Sequence, residues 1–204
     1  MNLAGLAYDG SPIDGGLYTE TVDLAHRAPG WLDSAVSAWS GYGLALFAVL
    51  MLAGWWRARR EGAAAGLMAL AVPVIVVLAY CVNDAVKLVV REDRPCRSLR
   101  VTTLEACPAP GDWSFPSNHA ALAFAAAVAL LFVSRRLGAA ALVCAVAMAA
   151  SRVWVGAHYP HDVAAGALVG ALAALALATA LRRRPEALAR RLTDTRLRPL
   201  LVSS

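Results

Sequence analysis

The chain has 204 residues, 59% of them hydrophobic and only 16% charged, with a formal net charge of +5. That much apolar surface exceeds what a soluble core of this length can hide, so composition excludes an ordinary soluble domain and indicates an integral membrane protein. The basic residues are nearly all arginine, dispersed between apolar runs rather than gathered on one polar face, which argues against nucleic-acid binding.

In chain order, residues 1–37 are polar and acidic, carrying Arg27 alone against five acids. They lack the basic start and apolar run of a secretory signal. Within them "GLYTETVDLAHRAPGWLDSAVSAW" is too polar to span and reads as an amphipathic helix at the interface. Five apolar runs follow, at about 38–56, 64–88, 119–134, 137–155 and 163–181, each near the roughly 20 residues a bilayer requires. Only "SRRLG" parts the third from the fourth, which predicts a tight helical hairpin, and Pro73 is placed to kink the second. Alanine and glycine dominate the last three runs and suit close helix packing in lipid. The tail, 182–204, is basic and loosely amphipathic, suited to anionic headgroups. The expectation is one all-α membrane domain over residues 1–204: a bundle of about five transmembrane helices plus an N-terminal interfacial helix.

Arginine placement predicts orientation. "RARR" (57–60), "RR" (135–136) and "RRR" (182–184) follow the first, third and fifth runs and belong in the cytoplasm. The N-terminus is then outside, the tail inside, and segments 89–118 and 156–162 face the extracytoplasmic side of the plasma membrane. The first of these segments is arginine-rich against the rule, which suggests charges kept for a ligand.

Three polar clusters punctuate those outer segments: "KLVVREDRP", "PSNH" and "SRVWVGAHYPHD". Singly each has an ordinary explanation. Lys87, the chain's only lysine, can snorkel from a helix end, Ser117 can cap a helix, and His158 and Asp162 form an i, i+4 surface pair. Together they set ionisable groups at one membrane depth, where a functional reading is the default. Lys87, Arg94 and Arg152 form a phosphate-binding inventory of one point charge and two forked guanidiniums. With Ser117 as cap, the backbone N–H groups of Asn118, His119 and Ala120 point outward at a helix start, where anions are favoured. Pro160 suits the first turn of the last helix. His158 reads as a nucleophile toward phosphorus, Asp162 as the carboxylate that orients it, and His119 as the general acid. A zinc site of His and Asp is the competing reading, disfavoured because three cations repel a metal, so no metal or other cofactor is expected. His161 has the wrong helical angle to share that role and reads as a secondary polar contact, and His26 as a surface residue.

These clusters resemble the signature of the type 2 phosphatidic acid phosphatase superfamily: Lys, six residues, Arg-Pro; Pro-Ser-Gly-His; and Ser-Arg, five residues, His, three residues, Asp. The first and third match in full over residues 87–162, while Asn118 stands where the pattern has glycine. The resemblance implies a helical, metal-independent membrane phosphatase with an outer-face site built from Lys87, Arg94, Ser117, Asn118, His119, Arg152, His158 and Asp162. The five-run layout and the wording "SGYG", "SFPSNHAALAF" and "VGAHYPHDVAAG" are similar to the bacitracin-resistance type of undecaprenyl-pyrophosphate phosphatase. The expected partners are a membrane lipid substrate and the bilayer itself, with no obligate protein partner. Phospholipid monophosphates and prenyl-linked sugar phosphates are alternative substrates, and a transporter of a lipid-linked anion is the alternative from another class. A transporter has no use for a nucleophile with its own orienting carboxylate.

Cys96 and Cys107 share the outer loop, as a disulfide or as two free thiols; an oxidising exterior permits the bond. Trp113 and Phe115 suit the membrane interface.

Overall fold

A computed structural model describes residues 7–183, 193 and 198–202. The described chain is helical: α1 (Ser11–Arg27), α2 (Gly30–Tyr42), α3 (Leu44–Ala58), α4 (Ala63–Val90), α5 (Pro95–Ser98), α6 (Asn118–Leu131), α7 (Arg135–Trp154) and α8 (Pro160–Arg182), with a short Arg198–Leu201 helix. Ser134 caps α7 through its hydroxyl and leaves only a tight connection from α6, the hairpin expected there.

Three helices, α4, α7 and α8, are long and apolar enough to cross a membrane, and α2 with α3, bent by 53° at their junction, makes a fourth. The third apolar run forms α6, which has only 14 residues. At 1.5 Å per residue that is roughly 21 Å, short of the ~30 Å hydrocarbon core. Its surroundings explain the shortfall. Ala120, Ala121, Ala123, Ala125, Ala127 and Ala129 are all fully buried, because α4, α7 and α8 enclose the helix. A helix surrounded by protein need not match the thickness of lipid. The enclosing helices turn Val74, Val77, Val143, Val146, Leu168 and Leu172 outward, the apolar surface a bilayer covers.

The small residues permit this density. A Cβ at Gly166 or Gly170 would run into the backbone of Ser117 or Ala121, so α8 lies directly on α6. One core then fills the bundle, joining Phe47, Val72, Ile75, Leu130 and Met148 to the buried alanines.

The N-terminal segment departs from a single interfacial helix. It forms α1, then α2 after an extended break at Ala28–Pro29, and α2 continues into α3. Helix α1 buries Tyr18, Val22 and Ala25, with Tyr18 and Val22 packed against Val153, Tyr159 and Val163. The expected headgroup-binding tail falls largely outside the described residues. Its described part folds back: Leu201 is buried against Leu67, and Trp55 Nε1 donates to the Leu200 carbonyl at 2.8 Å. In the outer loop Cys96 and Cys107 form a disulfide.

Candidate active site

The C-terminal ends of α4 and α7 and the N-terminal ends of α6 and α8 converge at one end of the bundle. Backbone bonds tie them: the Ser117 N–H donates to the Asp162 carbonyl at 3.0 Å, and the Ala157 and His158 N–H groups donate to the Arg152 carbonyl at 3.1 and 3.2 Å. The tight turn from α7 into α8 depends on Gly156, whose φ of +81° disfavours a side chain.

That turn delivers His158 to a buried position. Its Nε2 lies 2.9 Å from Arg94 Nη1, and a guanidinium only donates, so Nε2 is the acceptor. The proton of the neutral ring therefore sits on Nδ1, which lies 3.4 Å from Asp162 Oδ2 and 3.4 Å from Ser114 Oγ. Burial first, then the charges of Arg94, Arg152 and Lys87 and the neighbouring His119, hold the His158 imidazole well below its ordinary pKa. It is thus a neutral base near pH 7. Asp162, fully buried, accepts from Ser114 Oγ at 2.5 Å and from the Tyr159 N–H at 2.8 Å through the same Oδ2 that faces His158.

The three cations are buried and engaged. Arg94 donates to the Asp112 carboxylate at 2.8 Å, the Asp112 carbonyl at 3.1 Å and the Ala157 carbonyl at 3.0 Å. Arg152 contacts both oxygens of Glu105 at 3.1 and 3.2 Å and the Ser40 hydroxyl, which itself donates to Glu105 at 2.6 Å. Lys87 Nζ donates to the Trp113 carbonyl at 2.7 Å and the Ser114 carbonyl at 3.3 Å. Two carboxylates of the outer loop thus sit on the two guanidiniums.

Ser117 occupies the N-cap position of α6, but its hydroxyl makes no capping bond, contrary to the sequence expectation. Its buried Oγ has no partner among the described residues, while the Ser117 N–H is committed to α8. The half-buried Asn118 and His119 begin α6 at this helix start, with their N–H groups outside the helical ladder.

Next to this pocket lies a second polar cluster. His161 Nδ1 is 2.7 Å from Asp14 Oδ1, its Nε2 is 2.9 Å from the buried Glu92, and its backbone N–H donates to Asp14 at 2.7 Å. The ring stacks on Tyr159 at 5.3 Å. Glu92, His161 and Asp162 bring potential metal ligands within 4.8 Å of one another, yet both ring nitrogens of His161 face carboxylates and are engaged as donors. His26 is exposed, with Nε2 3.0 Å from the Thr102 carbonyl.

The structure therefore brings Lys87, Arg94, Ser117, Asn118, His119, Arg152, His158 and Asp162 to one end of the bundle. Sequence reasoning passed over Ser114, Glu105, Asp112 and Asn83. Ser114 lies inside "SFPSNH" and was within reach; isolated loop acids carry no spacing signal.

A buried neutral histidine, a carboxylate behind it, three cations and an open helix start form an arrangement chemically suited to a phosphoryl group. The PAP2 superfamily matches residues 67–186, and the chain belongs to that family. Over 145 residues, 69% of this chain and 70% of the relative, it is 35% identical to undecaprenyl-diphosphatase BcrC of Bacillus subtilis (strain 168). It is 38% identical to the undecaprenyl-diphosphatase of Sulfolobus acidocaldarius over 95 residues, 46% of each chain. It is also 38% identical to the decaprenylphosphoryl-5-phosphoribose phosphatase of Mycobacterium tuberculosis (strain H37Rv) over 116 residues, 56% of this chain and 58% of that one. No solved structure matches the chain. The protein is a multi-pass membrane hydrolase acting on a lipid phosphate.

Proposed function

We propose that the protein hydrolyses undecaprenyl diphosphate to the monophosphate on the extracytoplasmic face, through a phosphohistidine at His158. The observation that carries this reading is the tautomer of His158: Arg94 faces Nε2, so Nε2 holds the lone pair and Nδ1–H points at Asp162. Nε2 attacks the terminal phosphorus as the bond to the bridging oxygen breaks. His119 gives that oxygen its proton, and Asp162 stabilises the positive ring left behind. Water then attacks phosphorus, the N–P bond breaks, and inorganic phosphate leaves. Lys87, Arg94, Arg152, Ser117 and the N–H groups of Asn118 and His119 hold the phosphoryl oxygens. Phosphate thereby takes the places of Glu105 and Asp112 on the two arginines.

Charge supports the side of action. The site lies where α4 and α7 end, whereas Arg57, Arg59, Arg60, Arg135, Arg136, Arg182 and Arg183 lie at the opposite end, where α3 and α8 end and α7 begins. The positive-inside rule puts that arginine-rich end in the cytoplasm.

The test is phosphate release by purified protein in detergent with EDTA present, comparing undecaprenyl diphosphate with phosphatidylglycerophosphate, and His158→Ala as control. Release from the diphosphate, lost in the variant, is the expected result. Preference for the phospholipid would move the substrate and keep the chemistry; full activity in His158→Ala would sink the phosphohistidine.

A further inference from the structure

Asn118 is the one site position where the chain departs from the family pattern, and its environment gives it a job. Asn83, on α4, is fully buried, with Nδ2 3.3 Å from the Pro116 carbonyl and 2.7 Å from Asn118 Oδ1. A carboxamide is nearly symmetric in shape, so which end is nitrogen follows from its partners. The Pro116 carbonyl only accepts, so the Asn83 atom facing it is nitrogen. The Asn118 atom facing that same nitrogen is therefore the oxygen. The remaining end of Asn118 is Nδ2, two N–H donors that no described residue accepts.

Asn83 is a poor choice for stability alone, since its own Oδ1 is buried with no partner among the described residues. What it supplies is direction. The donors it frees stand at the first turn of α6, between Ser117, whose buried Oγ also lacks a partner among the described residues, and His119. Three adjacent groups are thus left open at one helix start.

We propose that the Asn118 side chain binds substrate, its Nδ2 donating to a phosphate oxygen, and that Asn83 is the positioning residue that turns it. This rests on the phosphatase reading above and adds a side-chain donor where glycine offers only its backbone. The ligand class is a phosphate monoester, a diphosphate or the free ion.

The decisive variant is Asn118→Asp. It keeps the volume and still accepts from Asn83, but turns an anionic oxygen where the donors were. Binding of inorganic phosphate to the purified full-length protein, read by titration calorimetry, should weaken about a hundredfold or more in Asn118→Asp and about tenfold in Asn118→Gly. Asn83→Leu should match the glycine variant, and Asn83→Leu with Asn118→Gly should be no weaker than Asn118→Gly alone, since one interaction is lost once. The same ratios should appear in KM for undecaprenyl diphosphate, with kcat less affected. Wild-type affinity in Asn118→Asp overturns the proposal, because a residue that merely accepts from Asn83 tolerates that change. So do additive losses in the pair, or a wild type that binds no phosphate. A wild type that binds phosphate but releases none from any lipid sinks the proposed reaction and leaves this inference standing.

Discussion

The pocket around His158 and the pocket around His161 lie three residues apart on one turn, and their electrostatics are opposite. His158 is enclosed by Arg94, Arg152 and Lys87, with one carboxylate behind it. His161 is enclosed by Asp14 and Glu92, one at each ring nitrogen. Both nitrogens of His161 donate, so it is an imidazolium tying α1 to α8, with no lone pair to offer. His158 keeps its lone pair because cations surround it. The same residue type becomes a brace or a base according to the sign of its neighbours.

The largest effect should come from removing the carboxylate behind the base. Asp162→Asn preserves shape, but its amide can donate to Nδ1 and favour the wrong tautomer of His158. A drop in kcat of about a thousandfold or more is expected, as for other histidine bases that lose their orienting carboxylate. A kcat within tenfold of wild type would show that Arg94 and Ser114 suffice to fix the ring. Next comes the brace. Glu92 is 1% exposed and paired with His161, so Glu92→Ala leaves a half-buried positive ring with Asp14 and, at 3.5 Å, the Asp162 carboxylate. The expected cost is about 2 kcal/mol of stability in detergent, the loss of one charge-assisted hydrogen bond, measured by chemical unfolding, with a far smaller change in kcat of the folded fraction. The reverse pattern would make His161 part of the catalytic machinery.

The chemical motifs were legible because they are dense and regularly spaced: Lys87 to Arg94 and Ser151 to Asp162 announce themselves in one line of sequence. The partners that restrain them were not. Glu105 and Asp112 are single acids in a loop, and only the fold sets them on Arg152 and Arg94. The length of α6 was less legible for a related reason: hydropathy registers an apolar run but not whether lipid or protein surrounds the helix it forms. The packing of α1 on the bundle was not legible because its buried contacts are long-range. Tyr18 reaches Gly156 across 138 residues, a distance no local pattern reports.

The third effect separates the two histidines by pH. The unfolded His158 titrates near its ordinary value of about 6.5, while the folded one resists protonation. The folded state thus binds fewer protons than the unfolded one, so this contribution to stability is complete about a unit above pH 6.5 and is lost as pH falls through that value. By pH 5.5 the loss totals about 1.4 kcal/mol, about 1 kcal/mol of it between pH 6.5 and 5.5, and His158→Gln should flatten that part of the curve. An unchanged slope in the variant would assign the acid sensitivity to other groups.

The smallest effect tests whether α1 supports the nucleophile's turn or merely covers it. Tyr18 is fully buried, and its hydroxyl donates to the Gly156 carbonyl at 2.9 Å, two residues before His158. Its ring packs at 5.4 Å on Tyr159, one residue after. Tyr18→Phe keeps the ring contact and removes the hydrogen bond, leaving a buried carbonyl unpaired, at a cost of about 1 kcal/mol. If α1 only covers the site, that loss appears in the unfolding midpoint while kcat and KM stay at wild-type values. If it holds the turn, kcat should fall several-fold at unchanged KM, because the bond fixes the backbone that aims His158 rather than any group that grips phosphate. The buried hydrogen bond favours the second outcome: Gly156 has a conformation few residues adopt, and the Tyr18 hydroxyl donates directly to its carbonyl.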